Sequence, residues 1–142
     1  MNLKDTNLKI YGRGINSKVI EGEIVKTKYM FSLDFIENEK GIYIEPYHEL
    51  KNMKIKNKII LCKGLKGSSV VTHKLSVCKN KNNAPLGFVM KVMNNIAIHS
   101  LFITKIPGLF VVDDFCKLNC LISGDRVILD TKRGIMEVIG KT

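Results

Sequence analysis

The sequence predicts one α/β domain with a β-rich N-terminal half, and three observations carry that expectation. Short apolar runs bounded by Gly or Pro recur along the chain, Val70 to Cys78 has clear helical spacing, and residues 59–90 follow the order strand, loop, helix, strand. That order is the signature of a parallel crossover. No Pro/Ser-rich linker or internal repeat divides the chain, so residues 1–7 read as an N-terminal tail and residues 8–142 as a single domain.

Leu8 to Tyr11 predicts a strand stopped by Gly12-Arg13-Gly14. Val19, Ile20, Ile24 and Val25 flank Glu21-Gly22-Glu23 and predict a second strand, bulged at Gly22. Ile42 to Ile44 is a third, ended by Pro46, and Ile59 to Cys62 has the unbroken apolar character of a strand buried on both faces. Lys63 to Ser69 reads as a loop, and Ser68 is placed to cap the helix that follows. Lys79 to Asn83 closes that helix, and Pro85 prevents its continuation. Gly87 to Met90 then predicts a strand, Asn95 to Lys105 a helix, and Leu109 to Val112 a strand. Arg126 to Asp130 and Ile135 to Ile139 predict a hairpin about Thr131-Lys132-Arg133-Gly134.

At 142 residues the chain can bury roughly two-thirds of its extended surface. Its 45% hydrophobic and 25% charged shares exclude a disordered or low-complexity protein. The net charge of +10 is local: between Glu49 and Asp113 there are eleven lysines and no acidic residue, whereas the flanks sum to −1. This field suits a small acidic substrate. Lysines outnumber arginines 20 to 3, which argues against base readout by the guanidinium fork. The absence of Trp and of aromatic stacking motifs argues against an RNA-binding module, the alternative from another functional class.

Cys62, Cys78, Cys116 and Cys120 form no CxxC, and no histidine lies close to any pair of them, so no metal site is expected on this chain. The N-terminus lacks an apolar signal core, and the longest apolar stretch, 96–112, is broken by His99, Lys105 and Pro107. A cytoplasmic protein without membrane or nucleic-acid contacts is expected.

Lys66-Gly67-Ser68-Ser69 lies between a buried strand and a helix start, where free amides and the helix dipole favour an anion. Spacing alone leaves open a second reading, in which Ser68 only caps and Gly67 only turns. The segment is not a P-loop, because Gly67 separates the lysine from the serine. His73, one turn into the helix, could face the site but reads rather as a surface or packing histidine, and His48, in Pro46-Tyr47-His48, follows a strand and reads equally as a contact to another subunit or as a turn residue. Asp113-Asp114 reads as a solvated loop pair.

One ordered series extends over residues 8–139: Gly12-Arg13-Gly14, Glu21-Gly22-Glu23, Gly41 to Leu50, Lys66 to Ser69, Ala84-Pro85, Ile106-Pro107 with Val111-Val112-Asp113, and Gly124 to Asp130. It resembles the small subunit of the aconitase X family. The resemblance implies a swivelling β/β/α domain with a mixed sheet, like the mobile fourth domain of aconitase, docked on a large aconitase X subunit that holds an iron–sulfur cluster, 4Fe-4S in type. It implies a hydro-lyase acting on a small anionic hydroxy acid, with mevalonate 5-phosphate the first expectation and cis-3-hydroxy-L-proline the alternative. It places the proton acceptor at Ser68; the charge of Lys66 and the donors of Gly67 and Ser69 beside it are then expected to hold the substrate's anionic oxygens, and Arg13, between two glycines, is expected to make a substrate or interface contact. Two departures stand out. Leu65 occupies a position where the family usually has glycine, and Leu33-Asp34 replaces a glycine pair.

Overall fold

The structure is a computed structural model that describes residues 8–142; the expected tail, residues 1–7, lies outside the described residues. Eleven strands, two α-helices and two 3-10 turns follow one another as β1 (Lys9–Ile15), β2 (Val19–Lys26), β3 (Met30–Ser32), a turn at Leu33–Phe35, β4 (Ile36–Glu37), β5 (Ile42–Tyr43), β6 (Ile59–Cys62), β7 (Gly64–Lys66), α1 (Val71–Asn80), β8 (Gly87–Met90), α2 (Asn95–Thr104), β9 (Gly108–Val111), a turn at Phe115–Cys120, β10 (Arg126–Asp130) and β11 (Ile135–Gly140). Seven strands close into a barrel in the order β1-β11-β10-β2-β6-β8-β9, with β9 returning to β1. β6, β8 and β9 are mutually parallel, and the crossovers between them are α1 and α2.

Both faces of the parallel strands are buried, which is why they read as unbroken apolar runs. Ile59, Leu61, Val89 and Leu109 join Ile10, Ile24, Val127, Leu129, Met136 and Val138 in one core. The alternate residues Ile60, Cys62, Phe88, Met90 and Phe110 pack against Val71, Leu75 and Cys78 of α1 and Ala97 and Leu101 of α2 in a second. Strand alternation thus divides one apolar sequence between a barrel interior and a helix-covered exterior.

Four expectations change. Gly12-Arg13-Gly14 does not stop β1, which pairs with β11 through Tyr11 and then switches to β9 from Gly12 onward. The glycines make that switch possible: a Cβ on Gly12 would sit 2.2 Å from the Phe110 carbonyl oxygen, and one on Gly14 1.9 Å from that of Thr131. β2 runs unbulged past Gly22, antiparallel to β10 and then parallel to β6; the register shift lies instead between Arg126 and Val127, where β10 meets β11. Residues 64–66 are strand rather than loop, paired with β3. Ser68 does not cap α1, whose N-cap is Val70 without a side-chain bond, because its hydroxyl is used elsewhere. The expected helix at 95–105 forms, capped by Asn94, whose side chain accepts the Ala97 N–H at 2.9 Å.

The loop before β10 is held by Asp125, whose carboxylate is fully buried and accepts Lys141 Nζ at 2.6 Å, Thr142 N at 2.7 Å and Ile122 N at 3.0 Å. Burial pushes this carboxyl up, but Lys141 and the two amides outweigh it and hold it below the usual aspartate value. A lowered folded-state value means that the stabilisation is present above the unfolded value and is lost as pH falls through the folded one. Asp125→Asn is expected to cost about 2–3 kcal/mol at neutral pH by urea denaturation, with the deficit shrinking in acid. Gly12→Ala is expected to cost about 3 kcal/mol, because backbone atoms obstruct the new methyl; a thermal midpoint equal to wild type would contradict the close approach.

Candidate functional site

The carboxyl ends of β6, β8 and β9 share one rim, and α1 and α2 both start from it. Ligands of open α/β sheets gather at such rims. β7 extends from β6 and pairs in parallel with β3, Met30 opposite Gly64 and Ser32 opposite Lys66, which carries the Leu33–Phe35 turn alongside the loop that precedes α1. Asp34 on that turn accepts Ser68 N through Oδ2 at 2.7 Å and Ser68 Oγ through Oδ1 at 2.8 Å. Lys74 Nζ, one turn into α1, donates to the same Oδ1 at 2.9 Å. Lys74 is the main cause that lowers the Asp34 carboxyl from its usual range, and the Ser68 hydroxyl and amide add to it. A serine hydroxyl therefore points at a carboxylate kept ionised by an ammonium group.

Gly67 is required by this turn, since a Cβ there would meet Val71 Cγ1 at 2.3 Å. Beside it Lys66 Nζ pairs with Glu45 Oε2 at 3.2 Å, and Glu45 Oε1 accepts the Tyr43 hydroxyl at 2.6 Å. The Tyr43 oxygen in turn accepts Ser32 N at 2.6 Å, and burial drives its phenol pKa well up. Burial works to raise the Glu45 carboxyl too, yet the Tyr43 and Lys66 bonds hold it low. Two cavities flank the loop. One of about 530 Å³ is lined by residues including Tyr29, Glu45, His48 and Lys66; the other, about 220 Å³, lies between the helix starts and is lined by residues including Ser68, Ser69, Asn95 and His99.

Residues 9–138 match the sequence family described as the aconitase X swivel domain. This chain belongs to that family. Similar proteins include the phosphomevalonate dehydratase small subunit of Pyrococcus abyssi, 27% identical over 94% of this chain and 100% of the relative, and that of Archaeoglobus fulgidus, 30% identical over 93% and 99%. Among solved structures, the holo form of Thermococcus kodakaraensis aconitase X superposes with a TM-score of 0.83 at 25% identity over 92% of this chain and 98% of that one. A protein described as UPF0107, solved in solution, gives 0.81 at 29% identity over 93% and 99%.

Within this aconitase X swivel domain the structure brings Lys66, Gly67, Ser68 and Ser69 together. Arg13 stands apart, exposed on β1 opposite Phe110, three strands along the rim from β6. His48 is structural: Nδ1 accepts Leu50 N at 3.0 Å, so Nε2 carries the proton and donates to Met30 O at 3.1 Å. His73 is exposed on α1. Asp113 accepts Tyr11 N at 2.9 Å and Asp114 caps the following turn, so these carboxylates have separate duties. Burial raises the Cys62 thiol to about 12 and the Cys78 thiol to about 11, which makes both poor thiolate ligands. Cys116 and Cys120 are exposed, and no group of three or more His, Cys, Asp or Glu suited to a metal occurs among the described residues. Among those residues no helix is long and apolar enough to cross a membrane.

Sequence reasoning missed Asp34, Lys74 and Glu45 as members of the site. Only the replacement of the family's glycine pair by Leu33-Asp34 signalled the first. Lys74→Met should raise the Asp34 carboxyl pKa toward the ordinary value near ~3.9, read by carboxyl-carbon NMR. An unchanged titration would disconnect the two groups.

Proposed function

We propose that this chain is the small subunit of a two-subunit hydro-lyase that dehydrates mevalonate 5-phosphate to trans-anhydromevalonate 5-phosphate, with Ser68 as the proton acceptor. Relatives that match it nearly end to end carry the name phosphomevalonate dehydratase small subunit. The observation that carries the residue assignment is the Ser68 hydroxyl directed at the ionised Asp34.

Dehydration of a 3-hydroxy acid breaks a weakly acidic C–H bond beside the carboxylate and expels hydroxide from the next carbon. A free serine hydroxyl is too weak a base for this. Here Ser68 Oγ takes the substrate proton while its own proton passes along the 2.8 Å bond to Asp34 Oδ1, and the electron pair of the broken C–H bond forms the new double bond. Lys74 keeps Asp34 ionised between turnovers. The loop amide of Ser68 is already bound to Asp34, so substrate oxygens are left the other loop amides, the Ser69 hydroxyl and the Lys66 ammonium, whose side chain is 49% exposed and holds a single carboxylate. Arg13, which stands apart on β1, is assigned in this reading to a contact with the substrate or with the large subunit.

The described residues offer no ligand set for an iron–sulfur cluster, so in this reading the cluster is held by the large aconitase X subunit, and residues 8–142 form one swivelling domain docked on it in the cytoplasm. This chain's part is proton transfer and anion binding.

The pair reconstituted with its large subunit tests the reading. Ser68→Ala should lower kcat by about 10³-fold or more while the complex still assembles, and Asp34→Asn by about 10²-fold with little change in KM. Substantial activity in Ser68→Ala overturns the base assignment, and a preference for cis-3-hydroxy-L-proline over mevalonate 5-phosphate overturns the substrate.

A further inference from the structure

The positive charge of the chain does not collect where the proton chemistry is placed. Of the eleven central lysines, Lys66 and Lys74 beside the Ser68 loop are ion-paired with Glu45 and Asp34, and Lys58 and Lys81 are paired with Glu23 and Glu39. At the opposite rim, where β6, β8 and β9 begin and α1 and α2 end, Lys79 and Lys105 converge with Lys18 on a cavity of about 230 Å³. No carboxylate lines it.

Helix-end capping explains only part of this cluster. Lys79 Nζ donates to Thr104 O and Lys18 Nζ to Lys105 O at 2.7 Å, as expected of cations at the carbonyl end of a helix. Asn16 already serves that end, donating to Leu101 O at 2.9 Å and Ile106 O at 2.7 Å. Capping does not explain the Lys105 side chain, which makes no ion pair or hydrogen bond among the described residues and sits on a left-handed residue (φ 61°) where glycine or asparagine is the ordinary choice. Nor does it explain three ammonium groups gathered without a counter-charge. Lys79 registers the cost: burial first, and then repulsion from Lys18 and Lys105, lower its pKa.

We infer that this cavity is a second anion site, distinct from the Ser68 loop, that takes a phosphate monoester carrying a small apolar group. The two capping lysines use one N–H each on carbonyls, so the three ammonium groups retain donors for phosphate oxygens, which are strong charged acceptors. Ile20, Leu86 and Pro107 form the apolar wall for the ester carbons. The volume equals about seven or eight waters at ~30 Å³ each, room for a phosphate and a short alkyl chain.

The test is an amide NMR titration of the full chain with propyl phosphate, inorganic phosphate and, at matched ionic strength, sodium chloride. Propyl phosphate should give saturable shifts at Lys18, Lys79, Leu86 and Lys105, bind several-fold more tightly than inorganic phosphate, and lose at least tenfold in affinity in the Lys79→Met, Lys105→Met double variant, provided its remaining spectrum is unchanged. If that variant is unfolded, Lys105→Met alone, which removes no observed bond, should lose at least threefold. Equal shifts with chloride, undiminished binding in the folded variants, or shifts confined to Lys66–Ser69 overturn the site, and equal affinity for the two phosphates overturns the ester.

Discussion

Closure of the barrel rests on two strands that each belong to two sheets. β1 pairs with β11 and then β9, and β2 with β10 and then β6, so the antiparallel hairpin of β10 and β11 is sealed at both edges to the parallel trio. The constraint is backbone proximity. Where β1 changes partner, the Phe110 and Thr131 carbonyls approach so closely that only a residue without Cβ fits at positions 12 and 14. Everything else takes its place from this closure: one face of β6, β8 and β9 becomes interior, and the other must be covered by α1 and α2.

That covering sets the polarity of the molecule. Both helices run from the rim at which the parallel strands end to the rim at which they start, about 15 Å away for ten residues. The β3–β7 ribbon then adds a second element to the first rim and delivers Asp34 to Ser68 across 34 positions of sequence. Asp34 and Glu45 are folded onto Lys74 and Lys66 at that rim, so the charge visible in the sequence is neutralised beside the serine, whereas Lys18, Lys79 and Lys105 gather at the other rim around a cavity that no carboxylate lines.

What could be read from the sequence follows the range of the interactions. Ile59–Cys62, Gly87–Met90, α1 and the terminal hairpin were legible because apolar runs and turn residues are local signals. The ordered series from Gly12 to Asp130 made the family legible as well. Gly12 and Gly14 were misread as a stop because their role is set by strands about a hundred residues away. Ser68 was misread as a cap because the competing partner, Asp34, is brought in by tertiary structure. The lysine-rich middle suggested a positive field at the loop, and only the fold shows that Glu45 and Asp34 cancel it there.

A barrel whose first and last strands meet leaves no row of unsatisfied N–H and C=O groups along its main sheet. The remaining ribbons, β3–β7 and β4–β5, expose edges only two or three residues long. The glycines that let β1 reach β9 therefore also remove the template on which copies of this chain would otherwise stack strand to strand.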